Sequence, residues 1–195
     1  MHYLVCGTQD PLPAGHPGLR LLADGEMIVL EGPWALGRTV LACVDDEAAL
    51  ASLKPLMENA AGAYAVEGFK APGQGQAFAI AAHKMRDAEG FRAYAEAIPA
   101  LLDRFGVRSL ARGGTVTPLV GDFVPERGVV LEFPSVGAAL DFYTSDVYAP
   151  LLELRLRTTD PRFVVLARSG AIDPAIRHAA EAYVQSQPSQ SQPSP

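Results

Sequence analysis

The sequence predicts an α+β protein built from two tandem βαββαβ plaits, and three observations carry that expectation. Strand-length apolar runs alternate with stretches whose apolar residues recur every three or four positions, in the same order in each half. The segment Ala71-Pro72-Gly73-Gln74-Gly75-Gln76 separates the halves, because Pro and Gly together disfavour both regular structures. Of the 195 residues, 49% are hydrophobic and 19% charged, which is enough apolar material for a sizeable core and excludes disorder as the main state.

In the first half, residues 2–8 read as a strand, 17–24 as a brief helix, 27–30 and Thr39–Val44 as strands, 46–60 as a helix and 64–69 as a strand. Asp45 can cap the second helix, whose buried face is Leu50, Leu53, Met57 and Ala60. The second half opens with a strand over 76–84, and Asp87 can cap the helix marked by Phe91, Tyr94, Ile98, Leu101, Leu102 and Phe105. Gly106 ends it. Residues 107–120 and 129–133 read as an antiparallel pair whose first member is kinked at Gly113-Gly114. Ser135 caps a helix through Val136, Ala139, Leu140, Tyr143 and Val147, and a short helical stretch at 150–157 leads to the last strand, 163–167. Asp173-Pro174 starts a terminal helix with Ile176, Ala180 and Tyr183 on its apolar stripe. From Gln185 the chain is only Gln, Ser and Pro, so 185–195 is expected to be disordered. The expected organisation is a half at 1–70, a linker at 71–76, a half with its C-terminal helix at 77–184, and that tail.

The halves share element order rather than sequence, and each is a ferredoxin-like plait. A sheet with helices on one face must cover the other, and a second sheet from the same chain would do so, making the chain its own pseudo-dimer.

Composition narrows the function. Sixteen basic against 22 acidic residues give a net charge of −6, which argues against nucleic acid as a partner. No run of apolar residues is long enough to span a membrane, and the first residues lack the basic start of a signal peptide, so the expected address is the cytoplasm. Cys6 and Cys43 lie in strand contexts without CxxC spacing and are expected to be buried, reduced thiols. His2, His16 and His178 show no HxH or HExxH spacing, and Gly73-Gln74-Gly75 is not followed by a phosphate-binding signature, so neither a metal nor a nucleotide site is expected.

Asp87, Tyr94, Gly106, Leu110-Ala111-Arg112-Gly113-Gly114, Gly121, Arg127, Glu132-Phe133-Pro134-Ser135, Ala139, Phe142-Tyr143, Ser145, Tyr148 and Arg155 form a pattern over roughly 76–168. That pattern resembles the domain of unknown function 1330 family, a branch of the dimeric α/β-barrel superfamily, and departs from it at Val107, where the family tends to have a second glycine. The first half resembles YCII-related domains of the same superfamily through His16, Gly25, Gly32-Pro33 and Gly62. Their acid–base dyad pairs a helix His with an Asp-Pro, and Leu56-Met57-Glu58-Asn59-Ala60 has no such pair, so that chemistry is not carried over. The resemblance implies a dimeric α/β-barrel-like arrangement in which the first half either replaces the usual partner chain, giving a monomeric pseudo-dimer, or decorates a homodimer. Some relatives hold haem through a helix His, but His16 and His178 have no supporting context, and no cofactor is expected.

Alternation along 76–84 puts His83 with Ala77, Ala79 and Ala81 on a small-residue face that leaves room for a ligand. Glu132 shares a face with Val130, while Val129, Leu131 and Phe133 meet the helices, so Glu132 is expected to look into the cleft between the sheets. In the catalytic reading, His83 and Glu132 converge there as a base and its orienting partner, and Arg112 holds a carboxylate or enolate. Tyr143, Tyr148 and Arg155, which match the family pattern, then line the mouth of the cleft with donors. The structural reading has Arg112 and Glu132 as an ion pair beside the kinked strand, His83 as a rim residue, and Tyr143, Tyr148 and Arg155 as helix-packing residues with snorkelling polar tips. Trp34 either stacks on a ligand or plugs the core. Two functions follow: a small cofactor-independent enzyme doing proton transfer or oxygen chemistry on a small carboxylated molecule, or a non-catalytic ligand-binding or assembly module.

Overall fold

Most of the expected apolar runs become strands, and their pairing decides where each face points. The computed structural model describes residues 1–13 and 15–187, with two antiparallel five-stranded sheets and five α-helices among them. The first sheet runs β2 (Leu19–Ala23), β4 (Thr39–Val44), β1 (His2–Gly7), β5 (Gly62–Glu67), β8 (Val116–Val120). The second runs β3 (Met27–Glu31), β10 (Thr159–Ala167), β6 (Ala77–Met85), β9 (Arg127–Phe133), β7 (Arg108–Arg112). The outer face of the first sheet is covered by α1 (Glu47–Leu53), through Leu50 and Leu53. That of the second is covered by α2 (Gly90–Arg104), α3 (Val136–Tyr143), α4 (Ala149–Thr158) and α5 (Pro174–Ser186).

The inner faces meet in one apolar layer. Tyr3, Val5, Leu41, Tyr64 and Val66 of the first sheet interdigitate with Phe78, Ile80, Val130, Val164 and Leu166 of the second, all of them buried. A fully buried side chain of this size contributes roughly 1.5–3 kcal/mol, so this layer is a principal source of stability. Among the described residues it fills the space between the sheets, which corrects the expected location of the site. Trp34 packs on this layer, its indole N–H donating to Thr39 Oγ1 at 2.7 Å and its ring 5.5 Å from that of Phe123, as the core-plugging reading expects.

Several elements differ from their sequence expectations. The helix expected at 17–24 is strand β2, paired with β4 from Leu19 opposite Val44. Gly18 turns at φ +73°, outside the right-handed helical region, so the chain enters Leu19–Ala23 extended and pairs with the β4 edge. The first half is therefore ordered ββββαβ rather than βαββαβ. The helix expected at 46–60 is shorter, because Pro55 turns its end into a tighter 3₁₀ turn, Lys54–Met57. Its cap is Asp46, which accepts from the Ala49 N–H at 2.8 Å, not Asp45.

The kinked strand expected over 107–120 is two strands in different sheets. Gly113 adopts φ +75°, and a side chain on Gly114 would collide with the Glu67 carbonyl, so these two glycines carry the chain from β7 across to β8 beside β5. Reciprocally, β3 from the first half pairs with β10 in the second sheet. Each half thus lends one strand to the other's sheet. Cys6 and Cys43 are free and buried, and burial pushes the Cys6 thiol up to about 11. Asp173 caps α5, which includes Gln185 and Ser186, so those two are helical rather than tail. The expectation for the rest of the tail falls on 188–195, outside the described residues.

Candidate functional site

The register of β6 against β9 separates the residues expected to act together. Phe78 sits opposite Glu132 and His83 opposite Arg127, with Phe78 facing the other sheet and His83 facing the helices with Ala81. Arg127 and Glu132 are five positions apart on β9, roughly 17 Å along the strand. His83 and Glu132 therefore occupy opposite faces and opposite ends of the sheet, and no dyad forms between them.

Glu132 has its own, structural partners. Its Oε2 accepts from the Gly73 N–H and its Oε1 from the Gly75 N–H, both at 2.7 Å, while Arg168 and Arg108 lie at 3.6 and 3.8 Å. A Cβ on Gly75 would sit 2.5 Å from Glu132 Cγ, so the Gly-Gln-Gly linker is the backbone nest of this carboxylate. The expected Arg112–Glu132 ion pair is absent. Because Glu132 is only 3% exposed, Glu132→Ala strips two charge-assisted bonds from the linker and is expected to cost about 3 kcal/mol in denaturant unfolding. A loss under 1 kcal/mol, on the order of an ordinary surface change, would contradict this anchoring role.

On the helix side of the second sheet, His83, Tyr94, Arg112, Arg127 and Arg155 converge on a cavity of about 30 Å³ with apolar walls from Ala81, Phe91 and Val129. That volume admits a water or the head of a small oxyanion, not a whole metabolite. His83 lies near the end of β6, Tyr94 on α2 and Arg155 on α4, while the Gly113-Gly114 crossover brings Arg112 and Arg127 to the rim. A Cβ on Gly113 would lie 2.5 Å from the Arg127 Cζ, so the glycine admits the guanidinium, whose carbon also sits 5.1 Å from the centre of the Phe91 ring. This explains the Arg-Gly-Gly run physically.

Behind the cavity is a buried ion pair. Arg155 donates through both terminal nitrogens to Glu31, with NH1 to Oε2 at 2.7 Å, and its Nε donates to the Tyr148 hydroxyl at 3.1 Å. Tyr143 donates to Glu31 Oε1. Burial opposes the Arg155 charge, but Glu31 and the surrounding tyrosines hold its pKa well above the ordinary value. Tyr143, Tyr148 and Arg155 are each no more than 2% exposed, so they neither line the mouth of an inter-sheet cleft nor snorkel. Ser145 accepts from the Tyr148 N–H through its carbonyl at 3.0 Å, which fixes Tyr148 at the start of α4 and accounts for the Ser-x-x-Tyr spacing.

Arg112 and Arg127 differ from Arg155 in having no carboxylate partner and no side-chain hydrogen bond among the described residues. Burial, then the nearby Arg112 charge, lowers the pKa of Arg127. Burial, followed by the charges of Arg155 and Arg127, holds the His83 imidazole well below its usual 6.5, and its Nδ1 is buried without a hydrogen-bond partner. An unfolded chain would protonate this ring near 6.5 while the folded one keeps it neutral. Its contribution to stability is therefore complete above that pH and lost below it, by at most about 1.4 kcal/mol per pH unit until the folded ring protonates. Urea unfolding between about pH 7 and 5 is expected to show a shallower decline for His83→Gln than for the natural chain; identical slopes would contradict a neutral buried ring.

Of the expected site residues, the structure brings His83, Arg112 and Arg155 to one cavity, keeps Tyr148 and Tyr143 behind it, and removes Glu132 to the linker. Glu31 was not foreseen. It ends an apolar strand before Gly32-Pro33, and nothing local separates it from a solvated strand-end carboxylate, since its partner is 124 positions away. Arg127 is visible in the sequence only as a member of the family pattern, and Tyr94 only through that pattern and the apolar stripe of its helix.

Two packed sheets with a cationic cavity under the helices of one define an α+β protein with a small enclosed site in its second half. Residues 76–168 match the model of the family described as Domain of unknown function (DUF1330). The match spans His83, Tyr94, Arg112, Arg127 and Arg155 but not Glu31, which the first half supplies. No curated protein matches the chain. No helix among the described residues is long and apolar enough to cross a membrane.

Proposed function

We propose that this chain binds a small organic carboxylate, head first, in the cavity beneath α2. The observation that carries the reading is the pair of guanidiniums, Arg112 and Arg127, left without a counter-charge beside an unpartnered imidazole. Half-buried, mutually repelling cations of this kind are stabilised by a joining anion, and a carboxylate matches the guanidinium fork. The cavity volume supports entry of the head group alone, with the rest of the molecule over the half-buried rim.

The unpartnered Nδ1 of His83, a residue lining the cavity, favours a second reading, proton transfer next to the bound carboxylate. A C–H bond would break, its proton passing to the imidazole and its electron pair to an adjacent carbonyl oxygen. One NMR titration of the full chain with pyruvate in D₂O tests both readings. Saturable binding supports the first, and enzyme-dependent replacement of the methyl protons by deuterium, lost in His83→Gln, supports the second. Absence of binding overturns both, and binding without exchange overturns the second.

We also propose that the two sheets form an intramolecular pseudo-dimer of the ferredoxin-like type. Its support is that the neighbour order β5-β1-β4-β2 of one sheet repeats β10-β6-β9-β7 of the other, with the first half's first helix missing. In this reading the first half stands in for a partner chain, and the protein is monomeric in solution.

A further inference from the structure

We infer that the Tyr94 phenol is the neutral hydrogen-bond donor of the anion site, with its proton turned into the cavity by Arg155 acting through Tyr148. This rests on the reading that the cavity holds an anion. The argument is one of donor bookkeeping. Arg155 Nε can only donate, so the Tyr148 oxygen is the acceptor of their 3.1 Å bond. Tyr148 is 1% exposed and still has its own proton to place. Among the described residues, the one acceptor within reach is the Tyr94 hydroxyl oxygen, at 3.4 Å.

Were Tyr94 the donor of that contact instead, the Tyr148 proton would be a buried donor without a partner, the more expensive arrangement. The chain of bonds therefore runs from Arg155 to Tyr148 to Tyr94. This leaves the Tyr94 proton free on a residue that lines the same cavity as Arg112 and Arg127. Each donor in such a chain polarises the next, so the cationic Arg155 strengthens the phenol as a donor. Tyr143 is excluded from this role, because its hydroxyl is committed to Glu31. The ligand chemistry this favours is an oxyanion with acceptor lone pairs to spare after the guanidiniums are engaged, as a carboxylate has.

The test uses sodium acetate in chloride-free buffer. Tyr94→Phe is expected to weaken acetate binding roughly ten- to hundredfold, the value of a hydrogen bond to a charged group. Tyr148→Phe should weaken it less, because Tyr94 keeps its proton and loses only its orientation. In the unmutated chain labelled with ¹³Cζ-tyrosine, acetate should shift the Tyr94 resonance as it saturates, which needs no variant to fold. Acetate binding that depends on Arg127 but leaves the Tyr94 resonance and the Tyr94→Phe affinity unchanged would overturn this inference and spare the carboxylate reading. Failure of the natural chain to bind acetate or pyruvate would overturn both.

Discussion

Glu31→Ala is expected to destabilise the protein by about 3–5 kcal/mol, because it leaves the Arg155 guanidinium buried and uncompensated. Arg155 is 1% exposed, both of its terminal nitrogens donate to Glu31, and Tyr143 loses its acceptor in the same variant. For a chain of this length the loss corresponds to a fall in Tm of roughly 6–20 °C, and it is a large fraction of an ordinary folding stability. The reverse substitution, Arg155→Met alone, strands the Glu31 carboxylate and should cost a similar amount. Replacing both residues with methionine removes both desolvation penalties, so the double variant is expected to recover most of the loss. Denaturant unfolding of Glu31→Met, Arg155→Met and the double variant checks this as a double-mutant cycle. Single variants within about 1 kcal/mol of the natural chain would show that the pair does not carry the buried charge described.

Arg112→Met and Arg127→Met are expected to show the opposite pattern. Neither guanidinium is held by a protein carboxylate, so removing one relieves repulsion and should leave stability unchanged or slightly higher. Each variant removes a charged donor from the cavity and should weaken pyruvate or acetate binding roughly ten- to hundredfold, and the double variant more. Calorimetric titration and thermal melts on the same samples separate the effects. A double variant that binds the carboxylate like the natural chain would end the proposal that this cavity is an anion site. A strongly lowered Tm would place the two arginines in the structural framework instead.

These contrasting expectations come from features with different visibility in the sequence. Alternation along β6 and β9 correctly grouped His83 with Ala77, Ala79 and Ala81, and turned Val129, Leu131 and Phe133 toward the helices. A strand's period of two is local and needs no partner. Caps were equally local: Ser135 accepts from the Ala138 N–H at 3.0 Å and Asp87 from the Gly90 N–H at 2.9 Å. The assignment of His83 and Glu132 to one cleft failed at the next level. Which faces coincide depends on register, and the pairing of Phe78 with Glu132 and His83 with Arg127 puts the two on opposite sides.

Legible from local sequence alone were thus the α+β composition, most strand and helix positions, the caps at Ser135 and Asp173, and the residue pattern over 76–168. These follow from propensities and periodicities that act over a few residues. Only the tertiary structure decided that β3 and β8 would change sheets, that the inner faces would close into a packed layer, and that Glu31 from the first half would neutralise Arg155 in the second. Each of those outcomes depends on contacts between residues far apart in the chain. Burial penalties select such contacts only after the sheets have met, because a buried charge or an open strand edge has no cost until water is excluded.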